Sequence, residues 1–228
     1  MRKRILLVTL LAVALTISAG AIAQADTALT LSANPLVITY PHSAVLTVGF
    51  PSSDPATATI LKMPAGATEW TTMTVVATTA TPTVTVKPKT TTAYKAWIEG
   101  VESAPVTVTV RAKLTKPQLP GSIRKGHTIT VKGTLQPAGE VGATVDVDIY
   151  KMVTTYVRVG VGHLKKSTAW VLYTTQVVPL KAIKHSTITS AWSFRWAPTE
   201  LGQYKLVVSH EDLGHAYSQK TAYTRVRR

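Results

Sequence analysis

Val145-Asp146-Val147-Asp148-Ile149 alternates β-branched apolar residues with carboxylates at a period of two. In an extended strand successive side chains point to opposite faces, so this stretch offers Val145, Val147 and Ile149 to a core and Asp146 and Asp148 to water. The same alternation recurs upstream in Thr83-Val84-Thr85-Val86 and in Val106-Thr107-Val108-Thr109-Val110. Between such runs lie clusters of Pro, Gly and Ser, and the runs themselves are rich in Val, Ile, Thr and Tyr, which fit a pleated surface. Helical periodicity is absent after residue 25. The reading is an all-β chain.

Two copies of one pattern follow each other. Val45-Leu46-Thr47-Val48-Gly49 answers Ile129-Thr130-Val131-Lys132-Gly133, Glu69-Trp70 answers Ala169-Trp170, Pro88 and Tyr94 answer Pro198 and Tyr204, and Val110-Arg111 answers Val226-Arg227. The order never changes, so the second copy differs by insertions and not by rearrangement. Residues 26–112 and 122–228 are each of a length that suits one β-sandwich. Residues 113–121, Lys-Leu-Thr-Lys-Pro-Gln-Leu-Pro-Gly, read as a linker whose two prolines predict an extended arrangement of the two sandwiches. With no cysteine in the chain, each sandwich must be held by buried apolar surface alone. Tyr94 and Tyr204 each stand near the start of a late strand after a Pro-bearing turn, where a tyrosine corner belongs, and are expected to be structural.

Residues 1–25 read as a secretory signal. Met1-Arg2-Lys3-Arg4 is a basic start, Ile5 to Ala23 is an apolar run, and Ala23-Gln24-Ala25 has the small-x-small form of a cleavage site. Gly, Ser and Thr dilute the run, which argues against a retained anchor. The expectation is a mature protein from Asp26 that is secreted, extracellular or held non-covalently at the cell wall, with no stable membrane insertion.

The second copy contains Ser122-Ile123-Arg124-Lys125-Gly126, Val131-Lys132-Gly133-Thr134-Leu135, Trp170, Gly202-Gln203-Tyr204 and His215-Ala216-Tyr217-Ser218. In these residues it resembles the cysteine-free immunoglobulin-like repeats of secreted actinobacterial proteins. The resemblance extends over essentially the whole mature chain, more closely in the second copy. It implies two tandem immunoglobulin-like β-sandwiches serving as spacers or accessory modules beside cell-wall-associated or hydrolytic domains. Its motifs mark an architecture and not an activity.

Charge separates the copies. Asp26 to Ala112 holds five Lys/Arg and five Asp/Glu, whereas Lys113 to Arg228 holds seventeen against six, within a whole-chain net charge of +14. Such a field draws anionic polymers and surfaces. Arg124, Lys125, Lys151, Arg158, Lys165, Lys166, Lys181 and Lys184 are the candidate contacts for an anionic cell-wall polymer or surface glycan. No groove-reading motif for nucleic acid accompanies them. Among the aromatics, Trp192, Phe194 and Trp196 fall on one face of a strand and read as core, while Trp170, following Lys165, Lys166 and Ser167, is the candidate for stacking on a glycan.

Catalytic patterns are wanting. There is no cysteine nucleophile, no Gly-x-Ser-x-Gly elbow and no phosphate-cradling glycine loop, so neither a catalytic residue nor a cofactor is expected. Asp146 and Asp148 read as a solvated face paired with lysines across the strands. His210-Glu211-Asp212-Leu213-Gly214-His215 spaces its histidines five apart, where a zinc-protease helix needs four. It reads as a loop between late strands with no metal, the alternative being a weak transition-metal site on His210, Asp212 and His215.

Overall fold

The computed structural model describes residues 28–50, 57–77, 82–139, 142–183 and 186–228. The expected signal over 1–25 and Lys184 lie outside them. Within the described residues all regular elements are strands, as the alternation predicts. The first half contributes β1 (Thr30–Asn34), β2 (Val37–Thr39), β3 (Ala44–Gly49), β4 (Thr57–Pro64), β5 (Thr71–Ala77), β6 (Thr83–Val86), β7 (Thr92–Ile98), β8 (Val101–Glu102) and β9 (Val106–Arg111). The second contributes β10 (Lys113–Leu114), β11 (Ser122–Arg124), β12 (Ile129–Gln136), β13 (Thr144–Arg158), β14 (Leu164–Pro179), β15 (Lys181–Ala182), β16 (Ser190–Trp196), β17 (Gly202–Asp212) and β18 (His215–Arg227).

One pairing scheme is used twice. In the first half β1-β3-β6 forms one sheet and β5-β4-β7-β9 the other, with β2 joining β9 in parallel. In the second half β10-β12-β16 repeats the former and β14-β13-β17-β18 the latter, with β11 joining β18 in parallel. The facing sheets make a sandwich-like arrangement in which alternate side chains turn inward. Leu46, Val48, Ile60, Val108 and Val110 are fully buried in one core, and Val131, Leu135, Val145, Val147, Ile149, Leu206 and Val208 in another. Each such side chain contributes on the order of 1.5–3 kcal/mol by leaving water, which lets cores without disulfides hold. Trp192 and Trp196 lie in the second core with Phe194 packed against it, as expected of that strand.

The stretch expected as a linker is instead an edge of the second core. Lys113 and Leu114 pair with Gln136 and Leu135, Gln118 bridges to Lys132, and Thr115 exchanges hydrogen bonds with Thr134. Leu114 is 3 % exposed and Leu119 packs against the same core. Two apolar residues suffice to pull the segment down, because Pro117 and Pro120 sit on an edge where missing donors cost little. The halves also touch: Ala216 of β18 pairs with Arg111 of β9, and the Thr91 amide donates to the Gly214 carbonyl at 2.6 Å.

The halves differ most in one hairpin. β4 and β5 run for 8 and 7 residues, β13 and β14 for 15 and 16. β13 pairs with β14 from Thr144↔Pro179 out to Arg158↔Leu164, but β17 accompanies it only from Asp146 to Lys151. The outer part is therefore a two-stranded ribbon, and all residues from Val153 to Ala169 are exposed.

Candidate functional site

The ribbon carries three of the eight predicted cationic contacts. Val157 lies opposite Lys165, Tyr156 opposite Lys166 and Arg158 opposite Leu164, so Arg158, Lys165 and Lys166 gather near the turn. Beyond and between them stand Tyr156, Val157, Val159, Val161 and Leu164, with Val161 fully open to water. Arg124 and Lys125 form a separate basic edge: Arg124 is in register with Arg227, and the Lys125 amide donates to the Arg227 carbonyl. Lys181 stands apart on β15, in the opposite sheet. Lys151 is a correction. Its ammonium is ion-paired with Glu200 and its side chain is 22 % exposed, so its charge is already engaged.

Trp170 is also less free than expected. It is half-buried against Tyr223, with ring centroids 5.9 Å apart, and the Lys205 ammonium lies 5.5 Å from its ring and 4.3 Å from that of Tyr150. Tyr150, Lys205 and Tyr223 are direct cross-strand neighbours on β13, β17 and β18, so one row crosses three strands. Beside it a shallow depression of about 210 Å³ is lined by Trp170, Gln203, Tyr223 and Arg225. Aromatic faces next to cations can stack on sugars while pairing with their acidic substituents. Lys205 and Tyr223 were missed in the sequence. The signal lay in β18, where Tyr217, Gln219, Tyr223, Arg225 and Arg227 take the exposed positions of a period of two.

Asp148 accepts a hydrogen bond from the Thr175 hydroxyl at 2.7 Å, so the expected pairing of this face with lysines gives way to threonine at Asp148.

Tyr204 is fully buried, and its hydroxyl donates to the Glu200 carbonyl four residues upstream at 3.0 Å. Burial, with the charges of Tyr173 and Glu200 adding, pushes its pKa up to about 12. Tyr94 is 2 % exposed, and burial raises it too, against the opposing hydrogen bond of Thr92.

The histidine loop of the sequence is a tight hairpin end. Asp212 pairs with His215 across the two-residue turn Leu213-Gly214, and the Gly214 amide donates to Asp212 Oδ1 at 2.8 Å. His210 and Asp212, two apart, share a strand face, and a register shift at Glu211 brings His215 to the same point. His210 Nε2 is 3.0 Å from Asp212 Oδ2, and His215 Nδ1 is 2.8 Å from Oδ1. The His210 and His215 side chains are 1 % and 6 % exposed, that of Asp212 28 %. Burial pushes the Asp212 carboxyl up, but the hydrogen bond and charge of His215, the charge of His210 and the Gly214 amide outweigh it and hold the pKa below its ordinary value. A cavity of about 390 Å³ opens beside Asp212 and His215, walled by Lys89, Thr90, Pro137 and Ile188.

No model of a known protein family matches the chain, and no curated protein matches it. Among solved structures it is similar to red sea bream transglutaminase, at 14 % identity and a TM-score of 0.35, over 89 % of this chain and 31 % of that one. A Salmonella α-2-macroglobulin reacted with methylamine matches at 8 % identity and a TM-score of 0.29, over 89 % of this chain and 16 % of that one. The chain thus spans less than a third of either protein.

Proposed function

We propose that this chain is a secreted or cell-envelope-associated binding and spacer protein without catalysis, built as two tandem immunoglobulin-like sandwiches, the second of which holds anionic envelope polymers. The observation that carries this reading is the ribbon. Seventeen consecutive exposed residues, Val153 to Ala169, belong to neither core, so this surface is available for contact and contributes little to stability. Their charged side chains, Arg158, Lys165 and Lys166, are all cationic, and among the described residues Lys151 is the one Lys or Arg of the second half that pairs with a carboxylate. The first half, near neutral, serves as the spacer.

The test replaces residues 154–168 by an Asn-Gly turn, which closes β13 on β14 at the Val153↔Ala169 pair. Retention of the mature protein on an immobilised polyanionic polysaccharide is expected to drop at least tenfold, while unfolding free energy changes by less than about 0.5 kcal/mol, as for surface changes in general. Wild-type retention should also fade as salt shortens the Debye length below about 10 Å. Unchanged retention in the shortened variant sinks the proposal. A second reading, sugar stacking, is favoured by the Trp170–Tyr223 pair. It predicts retention that is insensitive to salt and lost in Trp170→Ala with the ribbon intact.

A further inference from the structure

Every ring nitrogen of His210 and His215 has a partner, and on the far side of each ring that partner is a backbone carbonyl. His210 Nδ1 lies 2.8 Å from the Thr144 carbonyl and His215 Nε2 lies 2.9 Å from the Lys89 carbonyl. A carbonyl only accepts, so those two nitrogens carry protons and act as donors. The other two, His210 Nε2 and His215 Nδ1, both face the Asp212 carboxylate, which in its charged form also only accepts. One cation placed between these two nitrogens and the carboxylate would take the place of the protons that otherwise bridge them. Anchoring of the far ring nitrogen on a backbone carbonyl is what orients a histidine that ligates metal, because it fixes the tautomer and points the free lone pair at the ion.

We infer that His210 Nε2, Asp212 and His215 Nδ1 form a binding site for one borderline divalent transition-metal ion of the zinc class. The three ligand atoms lie within 4.8 Å of one another. Ligands held about 2.0–2.2 Å from one zinc ion sit some 3–4 Å apart, so small side-chain rotations close the set. Two imidazoles and a carboxylate suit zinc, nickel or copper(II) and not calcium or magnesium, which take oxygen. The neighbouring cavity leaves room for water or another small ligand to complete the coordination.

The site has a structural consequence. Lys89 belongs to the first half, and the Gly214 carbonyl receives the Thr91 amide, so the same turn that would carry the metal is the contact between the halves. Gly214 itself is pressed on Thr90: a Cβ there would come within 2.9 Å of Thr90 Cγ2. A metal that fixes the His215 ring fixes this contact as well.

The test is zinc titration of the chelator-treated mature protein by calorimetry, with Asp212→Asn and His215→Gln as variants and His163→Gln, on the ribbon turn, as the control for adventitious surface histidines. One zinc ion per chain is expected, bound at least tenfold more weakly by each site variant and equally well by the control. Circular dichroism establishes that the variants are folded, and hydrogen exchange at the Thr91 amide is expected to slow on zinc addition in the wild type and the His163→Gln control but not in the two site variants. Absence of saturable binding, or binding that survives both site variants, overturns the site. Binding with no change in exchange at Thr91 overturns the link between the halves.

Discussion

The two halves of this chain are one strand-pairing scheme carried by sequences that agree inside and disagree outside. In both, the lysine that follows the late-strand tyrosine lies against a tryptophan: Lys95 is 4.7 Å from the Trp70 ring and Lys205 is 5.5 Å from that of Trp170. In both, a parallel strand, β2 or β11, joins the last strand of the sheet. The second half has doubled one hairpin and taken up most of the positive charge. Alternating burial dictates the shared part, since moving a strand by one residue turns its whole apolar face to water. The hairpin extension meets no such constraint, because it faces water on both sides.

The sharpest break in the comparison is at a glycine. Gly133 in β12 is crossed by the buried indole of Trp192 on the paired strand; a Cβ at this position would lie 2.7 Å from Trp192 Cε2 and closer still to Cζ2. The ring is 1 % exposed and cannot turn aside without moving β16. Among the described residues, Gly49 in β3 is opposed by the Thr30 side chain alone, nearest through its hydroxyl, the end of an exposed side chain on an edge strand. Gly133→Ala is therefore expected to cost about 1–3 kcal/mol, the range of overpacked cores, while Gly49→Ala stays within about 0.5 kcal/mol. Urea unfolding of both variants measures this, and equal losses would mean that the two glycines do the same work.

Much of this was legible in the residues because burial writes a period of two. Val145, Val147 and Ile149 are all fully buried, and Tyr204 makes the corner bond that its place after Pro198 suggests. The ribbon was not legible. Val153, Val157, Val159, Val161 and Leu164 look as apolar as core residues, and what exposes them is that β17 stops pairing at Lys151, a fact of another strand. The linker misled for a related reason: two prolines outweigh two leucines in the sequence, whereas Leu114 and Leu119 decide its place in the fold. The histidines read first as a bare loop, with a metal site on His210, Asp212 and His215 only as the alternative, because five-residue spacing fails a helical template. In a hairpin the relevant distances are two along the strand and one across it, and His210-x-Asp212 before a Leu-Gly turn satisfies both.

A smaller effect separates the two tyrosines. The carbonyl four residues before Tyr204, that of Glu200, receives the tyrosine hydroxyl, and the residue midway is Gly202, which has no side chain to compete. The carbonyl four residues before Tyr94, that of Thr90, receives the Thr92 hydroxyl at 2.7 Å instead. Tyr204→Phe should thus remove a hydrogen bond and orphan an acceptor at a cost of about 1 kcal/mol, and Tyr94→Phe should cost less than half of that. The pH dependence carries the same signature. Tyr204 holds its proton more tightly folded, with a pKa of about 12, than unfolded, near 10. Its contribution is complete below pH 10 and drains away as pH rises from 10 to 12, because only the unfolded chain gains by ionising there. Wild-type stability should fall through that window and Tyr204→Phe should fall less steeply. Parallel slopes would show that the hydroxyl bond of Tyr204 adds nothing to its packing.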